Sequence, residues 1–364
     1  MKKFVWVAFI LALLLGCSNE KITENTINIG AVLPLTGSAA VYGQNAQHGI
    51  DLAVKEINVA GGINGKPIRV IYEDDGTEAV KSVTAIQKLI DIDGVHVIIG
   101  GVWDFLANAD IPVIDQQKVL LLSPSALPDT VTQTSSYFFV FHSPVASNQV
   151  VFEKWLKLLP SKRVGAIVIS NPWGLAHLDT FKKAVQATGA TLIEERILPN
   201  FDNNDISTEL TKFQSENLDG LFAAINFNDF LMLDRKRKEL DFQSSLLAHE
   251  NFADHVKSGR LDASNAEGVY VFGFSEPTPE FVTKFINAYG ESPVFVGDIA
   301  YDIVYALKMA MEGSGENTDQ IIQVLQKIDF QGASGRIYLG DKNYPLNKKP
   351  ILEKIVNGKF ITVY

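Results

Sequence analysis

The sequence predicts an α/β protein built from two parallel-sheet lobes in tandem. Three observations carry this. Short β-branched apolar runs alternate with segments of helical period from residue 27 onward. The alternation restarts at Arg163-Val164-Gly165-Ala166-Ile167-Val168-Ile169, which echoes Ile27-Asn28-Ile29-Gly30-Ala31-Val32-Leu33. The chain of 364 residues, 46% hydrophobic and 20% charged, has an ordinary folded composition and the length of two or three domains.

The N-terminus stands apart from that body. Met1-Lys2-Lys3 is a positive start, and residues 4–15 are an unbroken apolar run, shorter than the roughly 20 residues of a membrane-spanning helix. Residues 1–17 therefore read as a secretion signal. A glycine precedes the only cysteine at Leu14-Leu15-Gly16-Cys17, which resembles the lipobox of bacterial lipoproteins and implies acylation of Cys17. Residues 18–26 are polar and lack apolar periodicity, as a tether would. With no other cysteine, no disulfide supports the body, so core burial must.

In the first half, 27–33 reads as a buried parallel strand and 34–38 as a turn. Residues 42–60 carry Ala46, Ile50, Ala53, Val54 and Ile57 at helical spacing and stop at Gly61-Gly62. Strands are expected at 68–72, 95–99 and 119–122, with helices at 78–90 and from about residue 105. In the second half, strands are expected at 163–169, 190–197, 220–225 and 245–249. Helices are expected at 174–188, 205–217 and 228–240. The tail departs from this rhythm: helices at 281–289, 298–311 and 318–327 precede short strands at 336–339, 351–357 and 360–363. The last two form a hairpin around Asn357-Gly358.

Several function classes fall away. The net charge is −10, and more negative without the first 17 residues, so nucleic-acid binding is disfavoured. Gly61-Gly62-Ile63-Asn64-Gly65-Lys66-Pro67 is no phosphate loop, because proline follows the lysine where a helix must start. His249 and His255 are six residues apart rather than four, so one helix face cannot present both to a metal. No G-x-S-x-G elbow occurs, and the six histidines are scattered. Nothing here argues for an enzyme, a cofactor or a metal.

The opening run 27–33 with Pro34-Leu35-Thr36-Gly37, then Tyr42-Gly43, the stretch 53–65 and Tyr72-Glu73-Asp74-Asp75, resembles one family. It is the type I periplasmic solute-binding proteins of the leucine/isoleucine/valine-binding group. Ser123-Pro124-Ser125-Ala126 and Ala300-Tyr301-Asp302 fit as well. The resemblance runs to the C-terminus. It implies two Rossmann-like lobes joined by three hinge segments: 27–143 with 276–335, and 144–275 with 336–364. Hinges are expected near Ser143-Pro144, Phe274-Ser275 and Gly335-Arg336. It further implies a small-molecule ligand, an amino acid or an amine, trapped between closing lobes and handed to ABC permease subunits. The protein would be a monomer in the cell envelope, lipid-anchored outside the cytoplasm. A ligand-sensing subunit of a membrane receptor, or a non-transport envelope protein, could use the same trap.

By the same resemblance Glu250 meets the ligand's ammonium group, and Tyr42, Trp173 and Phe227 are pocket walls. Trp103 joins this frame. Two departures bear on the ligand. Asp104 stands near where the family has a serine that helps bind the ligand carboxylate, and an ionised aspartate would repel one. Ser125-Ala126-Leu127 covers the next ligand loop, where the family often ends in threonine, so Leu127 offers only its backbone N–H. Two readings stay open: an amine-bearing or cationic ligand framed by Tyr42, Trp103, Trp173, Asp104 and Glu250, or an ordinary amino acid held by backbone N–H groups.

Overall fold

The computed structural model describes residues 26–199, 204–257, 259–339 and 347–364. The signal, most of the tether and Cys17 lie outside the described residues. Among the described residues, no helix is long and apolar enough to cross a membrane.

The first half folds as β1 (Ile27–Leu33), α1 (Ala40–Val59), β2 (Ile68–Asp74), α2 (Ala79–Asp91), β3 (Val97–Ile99), α3 (Asp104–Gln117), β4 (Leu120–Ser123), α4 (Asp129–Thr132) and β5 (Phe138–Val140). These strands make an all-parallel sheet in the order β2-β1-β3-β4-β5. The second half repeats the scheme: α5 (Gln149–Leu158), β6 (Arg163–Ile169), α6 (Pro172–Thr188), β7 (Thr191–Leu198), α7 (Ile206–Ser215), β8 (Gly220–Ala224), α8 (Phe227–Glu239), β9 (Ser245–His249), α9 (Glu250–Lys257) and β10 (Tyr270–Phe274). Its parallel strands run β7-β6-β8-β9-β10, the same order as in the first sheet. The echo between 27–33 and 163–169 is thus an echo of position, since each run is the first strand of its sheet. In such sheets ligands collect outside the strand carboxyl ends, where the chain order reverses.

The tail divides between the two. Helices α10 (Pro279–Tyr289), α11 (Gly297–Ser314) and α12 (Thr318–Leu325) return to the first sheet. There Ile299, Ile303 and Leu307 pack with Ile29, Ala46 and Ile50. The opposite face of that sheet is covered by α2 and α3 through Ile86, Leu89, Ile111 and Ile114. The ribbon β11 (Asp329–Gln331) and β12 (Arg336–Tyr338) also belongs here, because Ile337 and Leu339 are buried in the first core. This corrects the expected third hinge at Gly335-Arg336 and the assignment of residues from 336 onward to the second lobe. The chain crosses later, near Asn347, and then adds β13 (Pro350–Val356) and β14 (Lys359–Thr362) antiparallel to β10. Their hairpin turns at Asn357 (φ 51°) and Gly358 (φ 70°). In the second core, Phe181 and Phe222 stack at 4.4 Å, with Phe152 and Phe272 against them edge-on and tilted.

Three segments cross between the lobes and are laced together. Ser143 Oγ donates to Lys348 O (2.8 Å) and accepts from Lys348 N–H (3.0 Å), and Asn347 Nδ2 donates to Phe141 O (3.0 Å). Ser275 N–H donates to Lys349 O (2.8 Å). The buried Lys348 Nζ bonds Ser275 O (2.9 Å) and pairs with Asp298 at the start of α11.

Candidate functional site

Each expected site residue follows the carboxyl end of a parallel strand. Tyr42 lies in α1 after β1, Asp104 opens α3 after β3, and Ser125 follows β4. From the other lobe, Trp173 lies in the first turn of α6 after β6, Phe227 opens α8 after β8, and Glu250 opens α9 after β9. Parallel strands point their carboxyl ends the same way, so residues far apart in sequence gather at one rim. Of Phe227 only the backbone position is described.

The two rims meet. Tyr42, 1% exposed, donates its hydroxyl to Asn251 Oδ1 across the cleft at 3.1 Å. Its ring meets Trp103 edge-on at 5.4 Å and Phe295 at 6.1 Å. Asp104 Oδ2 accepts the Trp173 backbone N–H at 2.6 Å, again across the cleft, and its Oδ1 accepts the N–H of Phe105 at 2.7 Å. Trp173 packs edge-on against His177 (4.5 Å) and His249 (4.8 Å). Gly174 lets α6 start directly on β6, since a Cβ there would sit 2.3 Å from Ile169 O.

Glu250 is bonded differently. Its Oε2 accepts the N–H of Phe274 at 3.1 Å, while Oε1 is buried with no hydrogen-bond partner among the described residues. His249 Nε2 lies 3.8 Å from that oxygen, too long for a hydrogen bond. Burial, with Asp254 one helical turn away, pushes the Glu250 carboxyl up to about 8. Burial likewise raises Asp254 to about 7, although Lys257 opposes this. His142 and His249 are pushed down by burial and stay neutral. A niche of about 60 Å³ lies behind Glu250, lined by His142, Asp254, Phe274, Phe295 and Lys348 among others. That is room for about two waters at their ~30 Å³ share of liquid volume. Gly273 makes space for the carboxylate, since a Cβ there would meet Glu250 Oε2 at 2.3 Å.

In the β4 loop, Ser125 Oγ is buried and without a hydrogen-bond partner among the described residues. Ala126 is buried, and the Leu127 side chain packs in the core beneath α2 and α3 rather than towards the cleft. Sequence reasoning missed Asn251, Asp254, His142 and Phe295. Only Asp254 carried a signal: it is four residues after Glu250, the spacing of one helix face. His142 and Phe295 sit in connecting segments with no periodicity to read.

A model of the periplasmic binding proteins matches residues 26–351. The chain belongs to that family. Within it, the Leu/Ile/Val-binding protein BraC3 of Rhizobium johnstonii is 26% identical over 345 residues, covering 92% of this chain and 93% of the relative. Among solved structures, the branched-chain amino acid transporter substrate-binding protein LivJ of Streptococcus pneumoniae, in complex with isoleucine, superposes with TM-score 0.81 at 22% identity. It covers 93% of this chain and 99% of the other. A solute-binding protein of an ABC transporter from Rhodopseudomonas palustris, in complex with 3,4-dihydroxybenzoic acid, gives TM-score 0.83 at 23% identity, covering 93% and 96%. The fold is the type I periplasmic binding protein fold, and the family is one of binding proteins rather than enzymes. One fold around isoleucine and around an aromatic acid leaves solute choice to the side chains.

Proposed function

We propose that this periplasmic binding protein is the solute receptor of an ABC importer and captures a small amine-bearing solute between its lobes. It acts as a monomer, held outside the cytoplasm by lipid on Cys17, and delivers the solute to permease subunits. The observation that carries the solute class is Glu250 Oε1, a buried carboxylate oxygen at the cleft without a hydrogen-bond partner among the described residues. An isolated buried charge is costly, so this carboxyl holds a proton until a cation replaces it. An ammonium group supplies both the charge and the N–H donors. Tyr42, Trp103, Trp173 and Phe227 wall the solute, and aromatic faces suit an apolar or cationic body.

Thermal stabilisation of the purified chain by leucine, isoleucine, valine, other amino acids, simple amines, quaternary ammonium compounds and short amides tests this. A solute at ~100 times its dissociation constant adds ~2.7 kcal/mol to the folded state. Amines should stabilise the wild type and not Glu250→Gln. Equal stabilisation of both would sink the reading. One observation favours an ordinary amino acid instead: the partnerless Ser125 hydroxyl is a donor suited to a carboxylate. A shift with leucine, isoleucine or valine but not with amines would select that reading. Loss of lipid labelling in Cys17→Ser, and co-purification of a permease, test the anchor and the partner.

A further inference from the structure

Asp104 is 2% exposed and sits where two helices from different lobes begin. The first N–H groups of a helix lack partners within it and carry the positive end of its dipole. Asp104 Oδ1 takes one of these from α3, the N–H of Phe105, and Oδ2 takes one from α6, the N–H of Trp173. The neighbouring donor of α6, Gly174 N–H, is already capped by Asn171 Oδ1 at 2.8 Å. One carboxylate thus ties the starts of a helix from each lobe across the mouth of the cleft.

We infer that Asp104 is a carboxylate carried by the chain itself, which latches the two lobes and restricts the solute to amines and other cations lacking a carboxylate. The restriction rests on the amine reading above, whereas the latch does not. A solute carboxylate arriving at this point meets N–H donors already bonded and a negative charge in contact. Both disfavour it relative to a solute with no anion. The amine end is untouched, because Glu250 lies on the opposite lobe.

Two measurements on the full-length chain test the two parts. Calorimetric titration compares leucine with 3-methylbutylamine, its decarboxylated counterpart, and arginine with agmatine, in the wild type, Asp104→Ser and Asp104→Asn. Hydrogen–deuterium exchange without added solute follows the peptide that begins α6. The wild type should prefer the amine of at least one pair. Asp104→Ser should move that preference towards the amino acid by about tenfold or more. Exchange at the start of α6 should speed up in Asp104→Ser while the middle of that helix is unchanged. An unchanged preference overturns the restriction, and unchanged exchange overturns the latch. If Asp104→Ser does not fold, Asp104→Asn, which keeps one acceptor oxygen but no charge, carries both comparisons. If none of the four probes binds the wild type, the amine reading and the restriction resting on it fall together, and exchange alone decides the latch.

Discussion

Two carboxylates, Asp104 buried and Glu250 partly buried, face the cleft from opposite lobes, and their bonding sets them apart. Asp104 has a backbone N–H on each oxygen, one of them from the other lobe. Glu250 has one oxygen bonded within its own lobe and one with no hydrogen-bond partner among the described residues. By burial alone both are candidate ligand groups. Hydrogen-bond accounting separates them, because a saturated carboxylate gains little from a ligand and a partnerless one gains much. The difference shows why a resemblance that marks both positions still leaves their roles open.

The largest expected effect comes from moving Glu250 without removing it. Gly273→Ala places a Cβ 2.3 Å from Oε2, so the carboxylate must shift. Amine affinity, measured by calorimetry, should fall by about a hundredfold, the scale of breaking a buried charge contact. Unchanged affinity would mean that Glu250 does not touch the solute. The hydrogen bonds of Asp104 run to Phe105 and Trp173 and not to Glu250 or Gly273, so exchange at the start of α6 should stay as in the wild type.

The second effect is a pair of opposite pH dependences. Glu250 and Asp254 have ordinary values of 4.5 and 3.8 and are raised in the folded protein to about 8 and about 7. The folded state therefore holds these protons more tightly than the unfolded one. Their contribution to stability is fully present below about pH 4 and is lost as pH rises towards 8. Amine binding needs the ionised acid, so affinity should rise over the same range and each binding event should release protons. Thermal melts and calorimetry in buffers of different ionisation enthalpy measure the two trends. Affinity that falls as pH rises from 6 to 8 would contradict the role given to Glu250.

A third, smaller effect separates solute-linked acids from merely buried ones. Asp110 in α3 is fully buried, receives a hydrogen bond from Ser82, and is pushed up to about 8 by burial, with Asp75 adding to the rise. Its sign is the same: stability is lost as pH climbs from about 4 to 8. Asp110→Asn should flatten that part of the melting profile while amine affinity stays unchanged. The smallest effect belongs to Tyr42→Phe, which deletes the bond to Asn251 between the lobes. It should cost about 1 kcal/mol of solute affinity, a few-fold in Kd. A loss as large as that of Gly273→Ala would place the Tyr42 hydroxyl on the solute itself.

Much of the fold was legible because its signals are local. The runs 27–33, 68–72, 163–169 and 220–225 became strands within one or two residues of expectation, and Asn357-Gly358 turned the last hairpin. What escaped was short or irregular. Phe138–Val140 is three residues long and wholly buried, too brief for a period to register. Glu250–Lys257 mixes polar and apolar residues, so the sequence shows no helical period for the helix that carries Glu250 and Asp254. Arg336–Tyr338 reads as a strand of either sheet, so the sequence puts the third crossing too early, and only the pairing with Asp329–Gln331 assigns it.

By itself the sequence determined two parallel-sheet lobes and the family resemblance, together with the list of residues at the strand ends. These follow from periodicity and motif, which are properties of neighbouring residues. Tertiary structure alone decided what those residues do to one another. The bond from Trp173 to Asp104 spans 69 residues and that from Tyr42 to Asn251 spans 209. Whether a buried carboxylate is satisfied depends on which donors the fold brings within about 3 Å, and no local pattern encodes that distance.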